Sequence, residues 1–122
     1  MKNKFGFILV NPQLGENIGA CARSMKNFNF KKLNIVAPKF AFPNHKTKVT
    51  SVGAYDIINS AKVFKNIEEA INEFDIVISL SARRRDINKK HISFEDLKNI
   101  LIKRATAKFG FMFGPESSGL SL

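Results

Sequence analysis

The chain has 122 residues, enough for one domain with a real core and too few for two. Hydrophobic residues make up 44%, as in a soluble globular protein, and no apolar stretch approaches the roughly 20 residues of a membrane span. Twenty Lys and Arg against ten Asp and Glu give a net charge of +10, which favours a polyanionic partner (nucleic acid or an anionic membrane surface) unless it only reflects a Lys-, Asn- and Ile-rich composition.

Apolar runs then alternate with helical stretches. Phe5–Val10 reads as a short buried strand ended by Asn11-Pro12. With the basic start of the chain it resembles a signal peptide, and Ile18-Gly-Ala-Cys21 a lipoprotein cleavage box. The apolar run is only six residues, however, where an export signal needs about 7–15, so export is rejected. Cys21 is the only cysteine, which leaves no disulfide and no cysteine cluster for zinc and suits a reducing cytoplasm. Asn17 is placed as the cap of a helix running to about Phe28, with Ile18, Cys21, Ala22, Met25 and Phe28 as its apolar side. Gly15 and Gly19 make a Gly-x-x-x-Gly spacing, to which no role is given outside an apolar span.

Leu33–Ala37 reads as a second strand ended by Pro38, Thr47–Ala54 as a weak helix, and Val63-Phe64 as a short third strand. Asn66 with Glu69 is a capping pattern before a helix over Ile67–Phe74. Ile76–Leu80 is a nearly continuous apolar strand. Ser93-Phe-Glu-Asp96 opens a helix with Phe94, Leu97 and Leu101 on one face, and Phe109–Phe113 is the last strand. This order predicts one α/β domain over residues 1–122, a mostly parallel sheet flanked by helices. In such sheets a ligand sits beyond the carboxyl ends of the strands, here the loops Asn11–Glu16, Ser81–Arg85 and Gly114–Gly119.

Familiar catalytic signatures are missing. There is no Gly-x-Gly-x-x-Gly, no phosphate loop and no nucleophile elbow, since Glu116 stands where the serine would. His45 and His91 are too isolated to suggest a metal site. What remains is a loop of small residues, a helix-borne Arg23 opposite the apolar stripe, a strand end at Ser81-Ala82 and a Gly-rich turn with Glu116. Arg offers a planar fork of donors suited to phosphate, although a solvated Arg on an amphipathic helix reads the same way from spacing. Gly114 and Gly119 let main-chain groups face a ligand, or simply make a tight turn. Arg83, Arg84 and Arg85, with Lys89 and Lys90, form a basic patch beside the same mouth, suited to RNA phosphates.

Two segments carry a resemblance. Asn11-Pro-Gln-Leu-Gly-Glu-Asn-Ile-Gly-Ala-Cys-Ala-Arg-Ser-Met-Lys-Asn-Phe28 is similar to the first motif of the SpoU branch of the SPOUT RNA methyltransferases, and Phe113-Gly-Pro-Glu-Ser-Ser-Gly-Leu-Ser121 to the second. Ser81-Ala-Arg-x-Arg85 resembles the stretch after the fourth strand in the TrmJ subgroup, tRNA 2′-O-methyltransferases acting on a cytidine or uridine of the anticodon loop. The resemblance implies an α/β knot, a homodimer, S-adenosyl-L-methionine as methyl donor, tRNA as substrate and no metal. It places Asn17 and Arg23 near the reacting ribose. Cofactor contacts fall on Leu80, Ser81 and Ala82 and on Gly114, Pro115, Glu116, Gly119 and Leu120.

The family's third motif would follow beyond Leu122. Its absence predicts that these residues are an N-terminal portion, with the knot incomplete, weak or no cofactor binding and apolar surface uncovered along the last strand and first helix. The alternative from another class is a basic α/β module that grips RNA without a complete cofactor site.

Overall fold

The computed structural model describes residues 4–80, 94–104 and 106–114. In chain order the elements are β1 (Phe5–Val10), α1 (Gly15–Asn27), β2 (Lys32–Val36), α2 (His45–Thr50), α3 (Tyr55–Ser60), β3 (Lys62–Phe64), α4 (Ile67–Ile71), β4 (Ile76–Leu80), α5 (Phe94–Lys103) and β5 (Phe109–Phe113). The five strands form one parallel sheet in the order β3-β2-β1-β5-β4. The last strand thus enters between the first and the fourth.

The strand alternation separates two faces. Ile8, Val10, Val36 and Met112 pack under α4 through Ala70, with Ile67, Ile71 and Phe74 around them. Gly6 and Gly110 are register partners on this face, and the Phe74 ring lies over both. An added Cβ would meet that ring at 2.5 Å on Gly6 and 2.9 Å on Gly110, so two side-chain-free positions make the notch that holds it. Asn34 Nδ2 donates to the Ala70 carbonyl at 3.0 Å and to Glu73 Oε1 at 2.8 Å, tying β2 to the end of α4.

On the other face, Leu33 and Ile35 pack against Ile18, Ala22 and Met25 of α1 and Ile57 and Ile58 of α3. Phe109 and Ile78 meet Ile100 and Leu101 of α5. Between these clusters Phe5, Phe7, Phe111 and Phe113 form a ring stripe that is only partly buried.

Local chemistry accounts for several departures from the sequence reading. Helix α1 starts at Gly15 with Leu14 as an extended N-cap that makes no side-chain cap, so Asn17 lies inside the first turn and does not cap it. The Gly15/Gly19 pair does have a role: it is the contact face for α2. A Cβ on Gly15 would meet Asn44 Oδ1 at 2.5 Å, and one on Gly19 would overlap the Thr50 hydroxyl. Phe28 is not on the buried stripe, being 72% exposed. The helix stops at Asn27, Asn29 takes φ +64°, and the Phe30 N–H donates to Met25 O at 2.8 Å while Asn29 N–H donates to Lys26 O at 3.1 Å. This reversal turns Phe30 inward in place of Phe28.

The weak helix over Thr47–Ala54 is instead α2, capped by Asn44, whose Oδ1 accepts from the Thr47 N–H at 2.8 Å, followed by α3, which the sequence reading lacks. Asn66 caps α4 as expected, accepting from the Glu69 N–H at 2.9 Å, but the helix ends at Ile71 and not Phe74. The second strand is Lys32–Val36, since Ala37 has φ +44° and leaves the sheet. Leu101 packs as expected. The Ser93 cap and the side chains of Phe94 and Leu97 lie outside the described residues. No helix among the described residues is long and apolar enough to cross a membrane.

Candidate active site

Strand order decides where the site loops meet. Leu9 is level with Phe113, and Phe113 with Leu80, so β1, β5 and β4 end side by side. The three loops singled out in sequence leave the sheet from three consecutive neighbours. The first is pinned: Asn11 turns with φ +50° and its N–H donates to Val36 O at 2.7 Å, while Pro12 O accepts from the Lys39 N–H at 3.0 Å. This bend delivers the chain into α1, which crosses above the sheet.

Under α1 the ring stripe is left open as a groove of about 590 Å3. Phe7, Leu9 and Phe113 line its sheet side, Gly114 and Pro12 its carboxyl end, and Asn17, Ala20, Cys21, Ser24, Met25 and Phe28 its helix side. Apolar side chains of the last strand and first helix thus line this groove. Phe7 and Phe113 lie with centroids 6.2 Å apart and planes at 17°. Burial pushes the Cys21 thiol up to about 11, which keeps it protonated at neutral pH. Cys21, Ser24 and Phe113 line this groove and were not among the candidates drawn from sequence. The signal was in the sequence, since Ala20, Cys21 and Ser24 are the small residues on one side of α1.

Arg23 is exposed and lies elsewhere. At 3.6 residues per turn, the six residues from Asn17 carry it roughly 120° round the helix. It lines a separate, polar pocket of about 270 Å3 with Lys26, Asn27 and the 52–54 turn. Lys26 Nζ donates to Asp56 Oδ2 at 2.9 Å, and this hydrogen bond and charge hold the Asp56 carboxyl below the usual range. Asn17 and Gly114 thus line the groove and Leu80 ends the strand paired beside it, whereas Arg23 does not share that cavity. Ser81, Ala82, Arg83, Arg84, Arg85, Lys89, Lys90, Pro115, Glu116, Gly119 and Leu120 lie outside the described residues.

With this geometry in place, the comparisons are specific. A model of the SpoU rRNA Methylase family matches residues 4–122. The chain belongs to the SpoU rRNA Methylase family. A SpoU relative, the tRNA (cytidine-2′-O-)-methyltransferase TrmJ of Methanocaldococcus jannaschii, is 34% identical over 116 residues, covering 93% of this chain and 50% of its own. The crystal structure of TrmJ from Zymomonas mobilis (Z. mobilis ZM4) superposes with a TM-score of 0.86 at 35% identity, over 95% of this chain and 52% of that one. An AdoMet-bound rRNA methyltransferase from Sinorhizobium meliloti shares the fold, with a TM-score of 0.55 at 12% identity over 99% of this chain and 43% of its own. The SpoU chain described here spans about half the length of the curated relatives it matches.

Proposed function

We propose that this chain is the methyl-transfer domain of an S-adenosyl-L-methionine-dependent RNA 2′-O-methyltransferase. Its substrate is a cytidine or uridine of a tRNA anticodon loop. The observation that carries the reading is the strand order: β5 between β1 and β4 gathers the three motif-bearing strand ends at one edge, in a chain whose relatives are named tRNA 2′-O-methyltransferases. The residues present fit the cofactor. Leu80 and Gly114 leave paired strands side by side, and the groove next to them offers apolar walls with Asn17 and Ser24 as polar points. The AdoMet-bound neighbour has the same fold.

Bound there, the cofactor supplies a methyl group already activated on a sulfonium. The chain's own task is to position the ribose hydroxyl against it and to shield the site from water. Asn17 holds polar groups at the groove mouth. Arg23 is a poor base because a guanidinium does not deprotonate in proteins, so it holds a substrate phosphate and stabilises charge at the hydroxyl. Because Arg23 and the groove do not share a cavity, a homodimer is part of the proposal, supported by the exposed Leu14 and Phe28 that flank α1. Action on tRNA places the protein in the cytoplasm.

The test is incubation with tRNA and methyl-labelled cofactor, followed by nucleoside mapping. Label on a 2′-oxygen of the anticodon loop is expected, and label on a base contradicts the reading. Arg23→Ala should lower turnover far more than cofactor affinity, with little loss of stability, because its side chain is exposed.

A further inference from the structure

We infer that the polar side of α1 and the α2–α3 turn form a contact surface for one unpaired nucleotide of RNA, its phosphate at Arg23 and its base against Val52 and Tyr55. This rests on the RNA reading above and extends it to a surface separate in sequence from Arg83–Arg85.

Three observations converge. The pocket beside Arg23 is polar and, at about 270 Å3, lies just below the roughly 300–1,000 Å3 of pockets for drug-sized ligands, so it suits a small charged group. The cations that line it are Arg23 and Lys26, and Lys46 and Lys48 lie on the neighbouring helix α2. Lys26 is paired with Asp56 at 2.9 Å and Lys46 with Glu16 at 3.8 Å. Among the described residues Arg23 and Lys48 form no ion pair, and Arg23 lines the pocket with an exposed side chain. The Lys26–Asp56 pair joins the last turn of α1 to α3 beside the pocket.

The second observation is apolar. Val52 lines the pocket and is 67% exposed, Val49 just before it is 49% exposed, and Tyr55, directly after the lining residue Ala54, is 48% exposed. Large apolar side chains left wet beside unpaired cations are the pattern by which proteins hold single-stranded RNA, with the phosphate on Arg or Lys and the base on an aromatic or aliphatic face. A base inside a duplex has no free face to offer.

The third concerns the backbone. Gly53 lies between Val52 and Ala54 with φ +85°, and nothing stands within 4 Å of where its Cβ would be. The main chain there is open to a close approach by the ribose-phosphate.

The test is fluorescence anisotropy with a labelled single-stranded RNA and with a fully paired RNA duplex of the same sequence. Tyr55→Ala should weaken binding of the single strand about tenfold with an unchanged salt slope, since stacking carries no charge. It should leave duplex binding unaltered, and Tyr55→Phe should restore single-strand affinity. Arg23→Gln should instead flatten the salt dependence by about 0.7 in log–log slope, one phosphate contact. If Tyr55→Ala stays within about twofold of the unmodified protein while Arg84→Ala with Arg85→Ala loses affinity, RNA binding stands and this surface is refuted. If the unmodified protein binds no RNA, the functional reading itself fails along with this one.

Discussion

Alternate residues toward the carboxyl ends of β1 and β5 end in opposite states on the two faces of the sheet. Under α4 the sheet is closed, with Ile8 fully buried, Val10 and Met112 nearly so, and a phenyl ring seated in a glycine notch. Across the same strands Phe7, Leu9 and Phe113 are only partly covered and line a groove. Alternate residues of β1 and β5 thus serve different ends: one set holds the fold, and the other is kept free beside the strand ends where the motif loops leave. Apolar composition alone does not tell which is closed, because both faces carry large apolar side chains.

Truncation should break the symmetry most visibly. Ile8→Ala on the closed face should cost about 2–5 kcal/mol, the usual range for a buried aliphatic side chain that leaves a cavity. Phe113→Ala on the open face should cost well below the ~3–5 kcal/mol of a buried Phe, because its ring is already partly solvated. Denaturant unfolding of the two variants measures the difference, and equal losses would mean that the groove is closed in solution.

Filling the notch is the next largest effect. Gly6→Ala puts a methyl at 2.5 Å from the Phe74 ring, and overpacking of this kind costs about 1–3 kcal/mol. Adding Phe74→Leu should recover part of that loss, and a double-mutant cycle reads the coupling. Additive losses would show that the ring does not sit on the glycine.

The smallest effects come from titration, with opposite signs on the two faces. Burial raises the Glu73 carboxyl, but hydrogen bonds from Lys32 at 2.8 Å and Asn34 outweigh it, so the pKa lies below its ordinary 4.5. A lowered folded-state value stabilises above pH 4.5 and is lost as pH falls through the folded value. The pair is partly exposed, so the contribution stays below about 1 kcal/mol, and Glu73→Gln should remove that acid dependence. Cys21 on the open face is raised to about 11, so its contribution holds below pH 9.0 and is lost as pH rises through 11. At pH 8 its alkylation should run at least tenfold slower than that of a free thiol, which mass spectrometry can follow.

The sequence made much of this fold legible where the signal is local. All five strands were read in place, three of them with exact bounds, because apolar runs are bounded by breakers, as at Asn11-Pro12 and Pro38, and Asn66 announced α4 because a cap acts within three residues. What escaped was long-range. Nothing local tells that β5 pairs with both β1 and β4, or that Gly15 and Gly19 exist for α2, whose Thr50 lies 31 positions beyond Gly19. Helix α3 is six residues with only Ile57 and Ile58 buried, too short to show a period. Phe28 fitted the helical stripe and lost its place to Phe30 because Asn29 reverses the chain. Of the residues proposed from sequence, Asn17 and Gly114 line the groove, and Arg23 lies away from it on the polar side of α1, as its position opposite the apolar stripe implied.

The central claim is that ligand chemistry belongs to the carboxyl edge where β1, β5 and β4 end together. The most direct measurement is backbone amide NMR during titration with S-adenosyl-L-methionine, which registers weak as well as tight binding. The account predicts shifts at Asn17, Leu80 and Gly114, with Phe5, Ile76 and Phe109 at the opposite edge unchanged. Shifts confined to the α4 face or to the opposite strand ends would contradict it.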